Sequence, residues 1–551
     1  MNFIETKETI YNILLTKAAQ AANGAELPPF AVEIPADDTH GDFSANAAMV
    51  FARVFRKSPR DVATLLLDGA DFSAVGVEKT EVAGAGFINF YMNSEWYNQQ
   101  VNAVLLQGED FGRTALGEGK RVLVEFVSAN PTGPMHIGNA RGGALGDTLA
   151  SLLDFAGYSV QREFYVNDGG NQIEKFAVSL NARYLQQTGK DVEMPEDSYL
   201  GTDITEHVVN FIKENGDTLS LLTEEERKAA LVAYALPKNL ATLETDLKRY
   251  RIAYDRWFKE SEVFDSGAVQ KIIDLLKERG ATYESDGALW FKAAEYGAEK
   301  DIVLVRANGF PTYIVPDIAY HFDKLVTRGF DLAIDVLGAD HHGYVPRMNA
   351  ALDALGIGHD KLHAVIMQMV SLVTLENGVK TPVKLSKRSG KAITLATLLD
   401  EVPLDAARFF FNLRNADTHL EFDLGLAVEE SSKNPVYYVQ YAHARICRIL
   451  EKNGKAKTAE RLFTEPAELS LIRKLAAFPL QINESARELN PSGLTRYAGE
   501  VAAAFHKFYD SCRIIGADEP VFSSRLALAE ATAVVLRCTL KLLKVTAPER
   551  M

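Results

Sequence analysis

Cysteine is scarce in this chain. There are three in 551 residues, Cys447, Cys512 and Cys538, with no CxxC pair among them. That count excludes a disulfide framework and a cysteine-based structural zinc site. Long apolar runs are missing too, so no segment reads as a transmembrane helix. The opening stretch MNFIETKETIYNILLTKAAQ carries acids early and predicts an amphipathic helix rather than a signal peptide. A reduced cytoplasmic protein without a membrane partner is the expectation. Two phosphate-binding signatures are also absent. Leu385 stands where the first glycine of a GxxxxGKS/T loop would be needed before Gly390-Lys391, and no GxGxxG follows a strand-like run. A nucleotide bound by this chain is held in some other way.

Positive charge is in overall deficit, 59 Lys and Arg against 74 Asp and Glu, which alone speaks against a nucleic-acid partner. The deficit is uneven. From Ser431 to Met551 there are 18 basic and 12 acidic residues, whereas the rest of the chain has 41 and 62. A basic tail on an acidic body fits a polyanion held at one place and repelled elsewhere. It fits a chance fluctuation of surface charge equally well.

What is present divides the chain into three. Residues 1–108 read as a small α+β module, in which GFINFYM predicts a strand with Phe87, Asn89 and Tyr91 on one face. A Gly-rich polar linker follows. Residues 118–425 alternate strands and helices: RVLVEFV is a near-continuous apolar run of the kind buried in a parallel sheet, a helix over 136–156 follows, then SVQREFYV. DLAIDVLGAD and HAVIMQMV predict later strands flanking a helix over 343–355. This is an open α/β sheet whose ligands sit at the carboxyl ends of its strands. Residues 185–285 are charged and predict a helical insertion. Residues 426–551 lose all strand signal and repeat apolar residues at helical spacing (Val439, Ala442, Ile446, Leu450), an all-α bundle.

Two stretches carry the chemistry. SANPTGPMHIGNARGG, residues 128–143, follows the first strand of the α/β part, where a stiff loop delivers His136 to the start of a helix. Such a start presents backbone N–H groups and a positive dipole end to an anion. Gly142, Gly146 and Ala150 bare one helix face for packing on the sheet, while Gly138 lies in the first turn, where a flat base or sugar can approach the backbone. The second stretch is VKLSKRSGKAITL, residues 383–395, in which Lys384, Lys387, Arg388 and Lys391 crowd a Gly-containing loop suited to a reacting polyphosphate. A solvated basic loop is the plainer reading of the same residues.

HIGN after a strand and KLSKR after the sheet resemble the HIGH and KMSKS signatures of class I aminoacyl-tRNA synthetases. EFVSANPTGPMHIGNARGGALGD, YVNDGGNQIEKF, GADHHGYVPRM, NPVYYVQYAHARI, FHKFYDSCRI, the terminal APERM, and GDFSANAAM with GFINFY near the start resemble the arginyl-tRNA synthetases of the bacterial type. The resemblance implies a Rossmann-like catalytic domain, a small N-terminal domain and a helical anticodon-binding domain. It also implies a monomer that joins L-arginine to tRNA(Arg) through an adenylate formed from ATP, with tRNA already bound. Mg2+ would enter with the ATP, without a protein metal site.

By that resemblance His136, Asn139, Lys384 and Lys387 are catalytic, and His136, Gly138, Asn139, Lys384, Lys387 and Arg388 bind ATP. Asn139 departs from the family's second histidine, but its amide still donates a hydrogen bond; Leu385 replaces methionine at similar volume. Arginine offers a planar fork of donors best met by carboxylates. Glu125, alone in an apolar strand, is either its partner or half of a structural ion pair with Arg141 or another core arginine. The family pattern favours the substrate and adds Ser128, Asn130, His136, Tyr313, Asp317, Asp340 and His341. Tyr437, Tyr441 and Arg445 share a helix face and, with Asn89 and Tyr91, are the candidates for tRNA contact. A different class I synthetase, or a non-catalytic tRNA-binding paralogue, remains an alternative.

Overall fold

A computed structural model describes residues 2–22, 24–35, 37–376, 379–383, 393–454 and 461–551. The chain forms two compact units: residues 1–114 with 430–488 and 493–551, and residues 115–429 with 489–492.

The second unit is built on a five-stranded parallel sheet. Its strands are β1 (Arg121–Glu125), β2 (Ser159–Val166), β3 (Arg256–Lys259), β4 (Leu332–Gly338) and β5 (Leu362–Met367), in the order β5-β4-β1-β2-β3. The order reverses between β1 and β4, and such a switch point opens a crevice beyond the carboxyl ends of those two strands. Three helices frame it: α1 (Ile137–Phe155), α2 (Ile314–Phe322) and α3 (Tyr344–Ala354). A π turn, Asp323–Thr327, prolongs α2.

The glycine face of α1 lets it settle on the sheet. A methyl group on Gly146 would fall 2.3 Å from Cγ of Phe126, just past the end of β1. One turn away, buried Arg141 donates to the carbonyls of Gln368 (2.7 Å), Asn415 (2.8 Å) and Thr418 (2.9 Å). This clasp explains a departure from expectation. HAVIMQMV is two strands, because the chain is held at Gln368, whose own N–H donates to the Ala416 carbonyl; the second strand, Val370–Glu376, joins a separate sheet with Val379–Pro382 and Leu420–Asp423.

The stretch expected to be helical from 185 to 285 also differs. Helices Gly170–Gln187, Thr202–Asn215 and Glu224–Arg249 stand together, but the chain then returns to the sheet as β3. Trp257 of β3 stacks on Phe164 of β2 at 4.3 Å, and this cross-strand pair holds a short edge strand that four residues of mixed polarity do not announce.

In the first unit, four antiparallel strands run in the order Val32–Glu33, Phe43–Ala45, Phe87–Met92, Val77–Ala83. They pack with helices Phe3–Ala21, Ala47–Phe55 and Pro59–Leu67, while Ser94–Gln107 lies against the C-terminal helices Pro466–Ala476 and Val521–Leu542. Buried Asp42 joins the two segments: it accepts from the Met92 N–H (2.7 Å), the Tyr97 hydroxyl and Arg473 (3.2 Å). No helix among the described residues is long and apolar enough to cross a membrane.

Gly146→Ala is expected to destabilise the protein by about 1–3 kcal/mol through overpacking. Gly499→Ala, where an added methyl meets nothing within 4 Å, should be neutral or stabilising. Urea denaturation of the two variants separates the cases.

Candidate active site

Two cavities adjoin at the carboxyl ends of β1 and β4. The larger, about 840 Å³, is walled by the loop 127–134, the first turn of α1, the end of β4 and Met367–Met369. The smaller, about 230 Å³, lies over Glu125, Asp317 and Asp335, with Tyr165, Tyr313 and Tyr344 around it. Side chains alternate along a strand, so Asp335 and Leu337 of β4 face the small cavity while Val336 and Gly338 face the large one. His341 lines both.

Between the cavities the chain turns on two consecutive non-glycine residues with positive φ, Val127 (69°) and Ser128 (38°). A β-branched residue there is strained by on the order of 1–3 kcal/mol. What holds the turn is Ser128, whose hydroxyl donates to Glu125 Oε1 (3.0 Å) and accepts from the Tyr165 N–H (3.1 Å).

At the head of α1 the sequence caps itself. The Gly138 N–H donates to His136 Nδ1 (3.1 Å), and the His136 N–H donates to Asn139 Oδ1 (3.0 Å). One of the N–H groups expected to be free is therefore taken by the histidine. Both side chains are oriented by the arrangement: with Nδ1 accepting, Nε2 carries the proton, and with Oδ1 accepting, the Asn139 NH2 is left to donate elsewhere. Burial pushes the His136 imidazole below its ordinary pKa, against the pull of Asp340. It is a neutral donor at the cleft.

Lys384, Lys387, Arg388 and Lys391 lie outside the described residues. The described ends of that segment are tied down. Val383 N–H donates to the Leu372 carbonyl (2.8 Å); Leu395 N–H donates to the Met135 carbonyl (2.9 Å), and Thr394 pairs with His136 in an isolated bridge.

The small cavity has an ionic floor. Glu125 does not pair with Arg141; its Oε2 accepts from Lys324 Nζ at 2.6 Å. Lys324 also donates to Asp335 (2.9 Å), and Asp335 accepts from His321 Nε2 at 2.7 Å. Burial opposes the charge on Lys324, but Asp335 and Glu125 outweigh it and raise its pKa. Burial likewise opposes ionisation of Asp335, and Lys324 with His321 overcomes it and lowers the pKa. Asp317 has no such rescue. Burial pushes its carboxyl up to about 7, with Glu260 and Glu125 adding to the shift and His321 and Lys324 only partly opposing it.

The expected arginine-binding residues divide between the cavities. Glu125, Tyr313, Asp317 and His341 line the small one; Ser128, Asn130, His136, Asp340 and again His341 line the large one. The Tyr313 hydroxyl accepts from Arg347 (3.0 Å). Tyr165, Tyr344, Tyr199 and Asp203 also line the cavities and were missed. The last two come from the helical excursion, whose position over the cleft has no signal in the sequence.

In the first unit, Asn89 is 2% exposed and its amide oxygen accepts from Ser44, so it does not belong among the tRNA candidates. Its strand is an inner one of the sheet, with Ser44 and Glu81 in register on either side of it. Tyr91 donates to the Thr39 carbonyl. On helix Pro435–Asn453 the aromatic stripe faces outward: Tyr437 stacks on Tyr441, and the Arg445 guanidinium lies 4.4 Å over the Tyr509 ring and 5.6 Å over Tyr441. A cleft of about 340 Å³ there is also lined by Arg448, Lys452 and Met551.

Three family models match the chain: the arginyl tRNA synthetase N-terminal domain over residues 9–92, the class I (R) tRNA synthetase catalytic domain over 100–447, and the DALR anticodon binding domain over 439–551. The arginine–tRNA ligase of Caldanaerobacter subterraneus subsp. tengcongensis is 50% identical, over 99% of each chain. That of Acetivibrio thermocellus is 48% identical over the full length of both. The chain belongs to the arginyl-tRNA synthetase family. The Thermus thermophilus arginyl-tRNA synthetase structure superposes with a TM-score of 0.79 at 23% identity, covering 99% of this chain and all of that one, and shares the fold.

For this family member the raised Asp317 pKa has a cost in stability. The folded protein holds that proton up to about pH 7, whereas the unfolded chain releases it near 3.8. The folded state therefore loses stability as pH rises between those values. Asp317→Asn removes the loss, so its gain in Tm over wild type, measured without ligands, should be near zero at pH 4 and largest above pH 7. There it corresponds to on the order of 2–4 kcal/mol.

Proposed function

We propose that the two adjoining cavities are where this chain activates arginine and passes it to tRNA. The enzyme class follows from the family: it is a class I aminoacyl-tRNA synthetase, an arginine–tRNA ligase using ATP. The observation that carries the assignment of place is the contrast between the cavities. One has a carboxylate floor; the other is headed by a helix N-terminus with a neutral imidazole and an outward amide.

In this reading the guanidinium of arginine enters the small cavity and lies between Glu125 and Asp317, two carboxylates suited to a planar fork of donors. Tyr313 closes the entrance. The α-carboxylate then points toward the large cavity, past His341, and Asn130 and Asp340 face the backbone end of the amino acid. ATP lies in the large cavity, with its ribose and base against Gly138 and its phosphates near His136 and Asn139.

The arginine carboxylate attacks the α-phosphate. An O–P bond forms, the bond to the bridging oxygen breaks, and pyrophosphate leaves with that electron pair. His136 Nε2–H and the Asn139 amide donate to the phosphate oxygens as charge develops. Lys384 and Lys387, with Arg388, neutralise the leaving pyrophosphate. The tie between Leu395 and Met135 supports this, since it brings the end of their segment beside His136. Mg2+ enters on the ATP phosphates. The arginyl group then passes to the terminal ribose of tRNA(Arg), typically at the 2′-hydroxyl in this class, with AMP released. Tyr437, Tyr441 and Arg445 contact the tRNA, and the enzyme acts as a cytoplasmic monomer.

Charging of tRNA with each amino acid in turn tests the reading. Wild type should charge with arginine alone. Lys387→Ala and His136→Ala should each lower kcat by about 10²–10³, and undiminished charging by either would refute that residue's role. The KM for arginine should rise as pH falls below about 7, because the guanidinium requires Asp317 as carboxylate, while the KM for ATP should not follow it. Tyr441→Ala should raise the KM for tRNA by about 10-fold, the loss of one stacked base, and leave the KM for arginine unchanged.

A further inference from the structure

Beneath the small cavity, outside its lining, lies an ammonium that no part of the reaction above uses. Lys324 is 0% exposed. Its Nζ donates to Glu125 Oε2 at 2.6 Å and to Asp335 Oδ1 at 2.9 Å, and lies 4.1 Å from the centroid of the Tyr320 ring. Fully buried behind these partners, it is out of a substrate's reach. As a device for stability it is poor, since a buried ion pair seldom outperforms packed apolar side chains of the same size.

What Lys324 does hold is Glu125. That carboxylate is clamped from both sides, with Ser128 on Oε1 and Lys324 on Oε2, so its plane and rotamer are fixed before any ligand arrives. Ser128 is itself strained into a positive φ, and its hydroxyl serves both Glu125 and the Tyr165 N–H. Loss of the ammonium would leave Glu125 on one neutral hydrogen bond beside Asp317 and Asp335, with the His321 ring on Asp335 as the remaining partner among them.

We propose that Lys324 is the positioning residue of the guanidinium site: by gripping one oxygen of Glu125 it presents the carboxylate at a fixed angle to the arginine side chain. The inference rests on the reading of the small cavity as the arginine pocket and adds a residue to it. Lys324 acts only through Glu125. Asp335 and His321 hold Lys324 in turn, so the chain of contact runs from α2 through the π turn to the ends of β1 and β4.

The test is aminoacylation kinetics on Lys324→Met, which keeps an unbranched side chain one atom shorter and removes its charge. The KM for arginine should rise about 10-fold or more, the equivalent of one charge-assisted contact. The KM values for ATP and tRNA should stay as in wild type. The pH below which the KM for arginine climbs should move upward, because Asp317, which faces Glu260 and Glu125 on one side of the balance and His321 and Lys324 on the other, then loses the ammonium. A residue that merely fills space would not move that midpoint. Lys324→Met/Asp335→Asn, which removes the orphaned acid as well, guards against misfolding and should keep the raised KM even where its Tm returns to that of wild type; Asp335→Asn alone is its control.

An arginine KM unchanged in Lys324→Met would overturn the proposal. So would parallel losses for arginine and ATP with an unmoved pH midpoint, or a double variant whose arginine KM reverts. Glu125→Gln and Asp317→Asn distinguish this failure from that of the underlying reading. If those two leave the arginine KM untouched, the small cavity is not the arginine pocket. If they raise it and Lys324→Met does not, only the role of Lys324 falls.

Discussion

Three carboxylates and one ammonium share the floor of a small cavity at the point where a parallel sheet changes its order of strands, and the rest of the site is arranged around that imbalance. A parallel sheet buried on both faces tolerates apolar residues along its strands and opens to polar ones only at their ends. Glu125 is the last residue of β1, and Asp335 lies on β4 beside it in register. One ammonium cannot satisfy both of these and Asp317 as well. The protein settles the difference by leaving Asp317 partly protonated near neutrality. A ligand that brings a spread-out positive charge completes the floor. The site is thus organised by a deficit of cations, and on the proposed assignment of the pocket to arginine, selectivity for a guanidinium follows from where the missing charge is.

The two cavities depend on the same strand ends. Because alternate residues of β4 face opposite ways, one strand serves the ionic pocket and the larger cleft at once. The turn through Val127 and Ser128 carries the chain from one to the other, and Arg141 fixes the far wall by clasping Gln368. The strain in the turn and the buried guanidinium under the wall are alike in that neither is favourable alone: the turn is held by the Ser128 hydroxyl, and the guanidinium by three backbone carbonyls.

Much of this was legible. A loop of Pro and Gly delivers a histidine to a helix start, a bare glycine face suits that helix to packing on the sheet, and the α/β architecture follows from strand and helix alternation, while the lone acid in an apolar strand kept two readings, substrate partner or structural ion pair. What escaped did so for identifiable reasons. The partner of Glu125 was sought among arginines, although Asp317, His321 and Lys324 recur at i, i+4 and i+7 on one helix face, a pattern that could have pointed to it. Asn89 shares a strand face with exposed Phe87 and is nevertheless buried, flanked by Ser44 and Glu81 on the neighbouring strands. Strand β3 hides in a charged, helical stretch since its support comes from Trp257 on Phe164, a contact between distant positions. Tyr441 and Arg445 read equally as core or surface until the bundle shows which side of their helix it uses.

The histidine that caps α1 has a last implication. An imidazole whose Nδ1 is committed to its own helix exists in a single tautomer and cannot pass protons from one nitrogen to the other. Many catalytic histidines live by such relays. Mixed-anhydride formation needs none, as its nucleophile arrives already ionised and its departing group leaves as an anion, so a frozen ring serves as well as a mobile one. The fold has spent the residue's versatility on rigidity, in a reaction that never asks for the versatility.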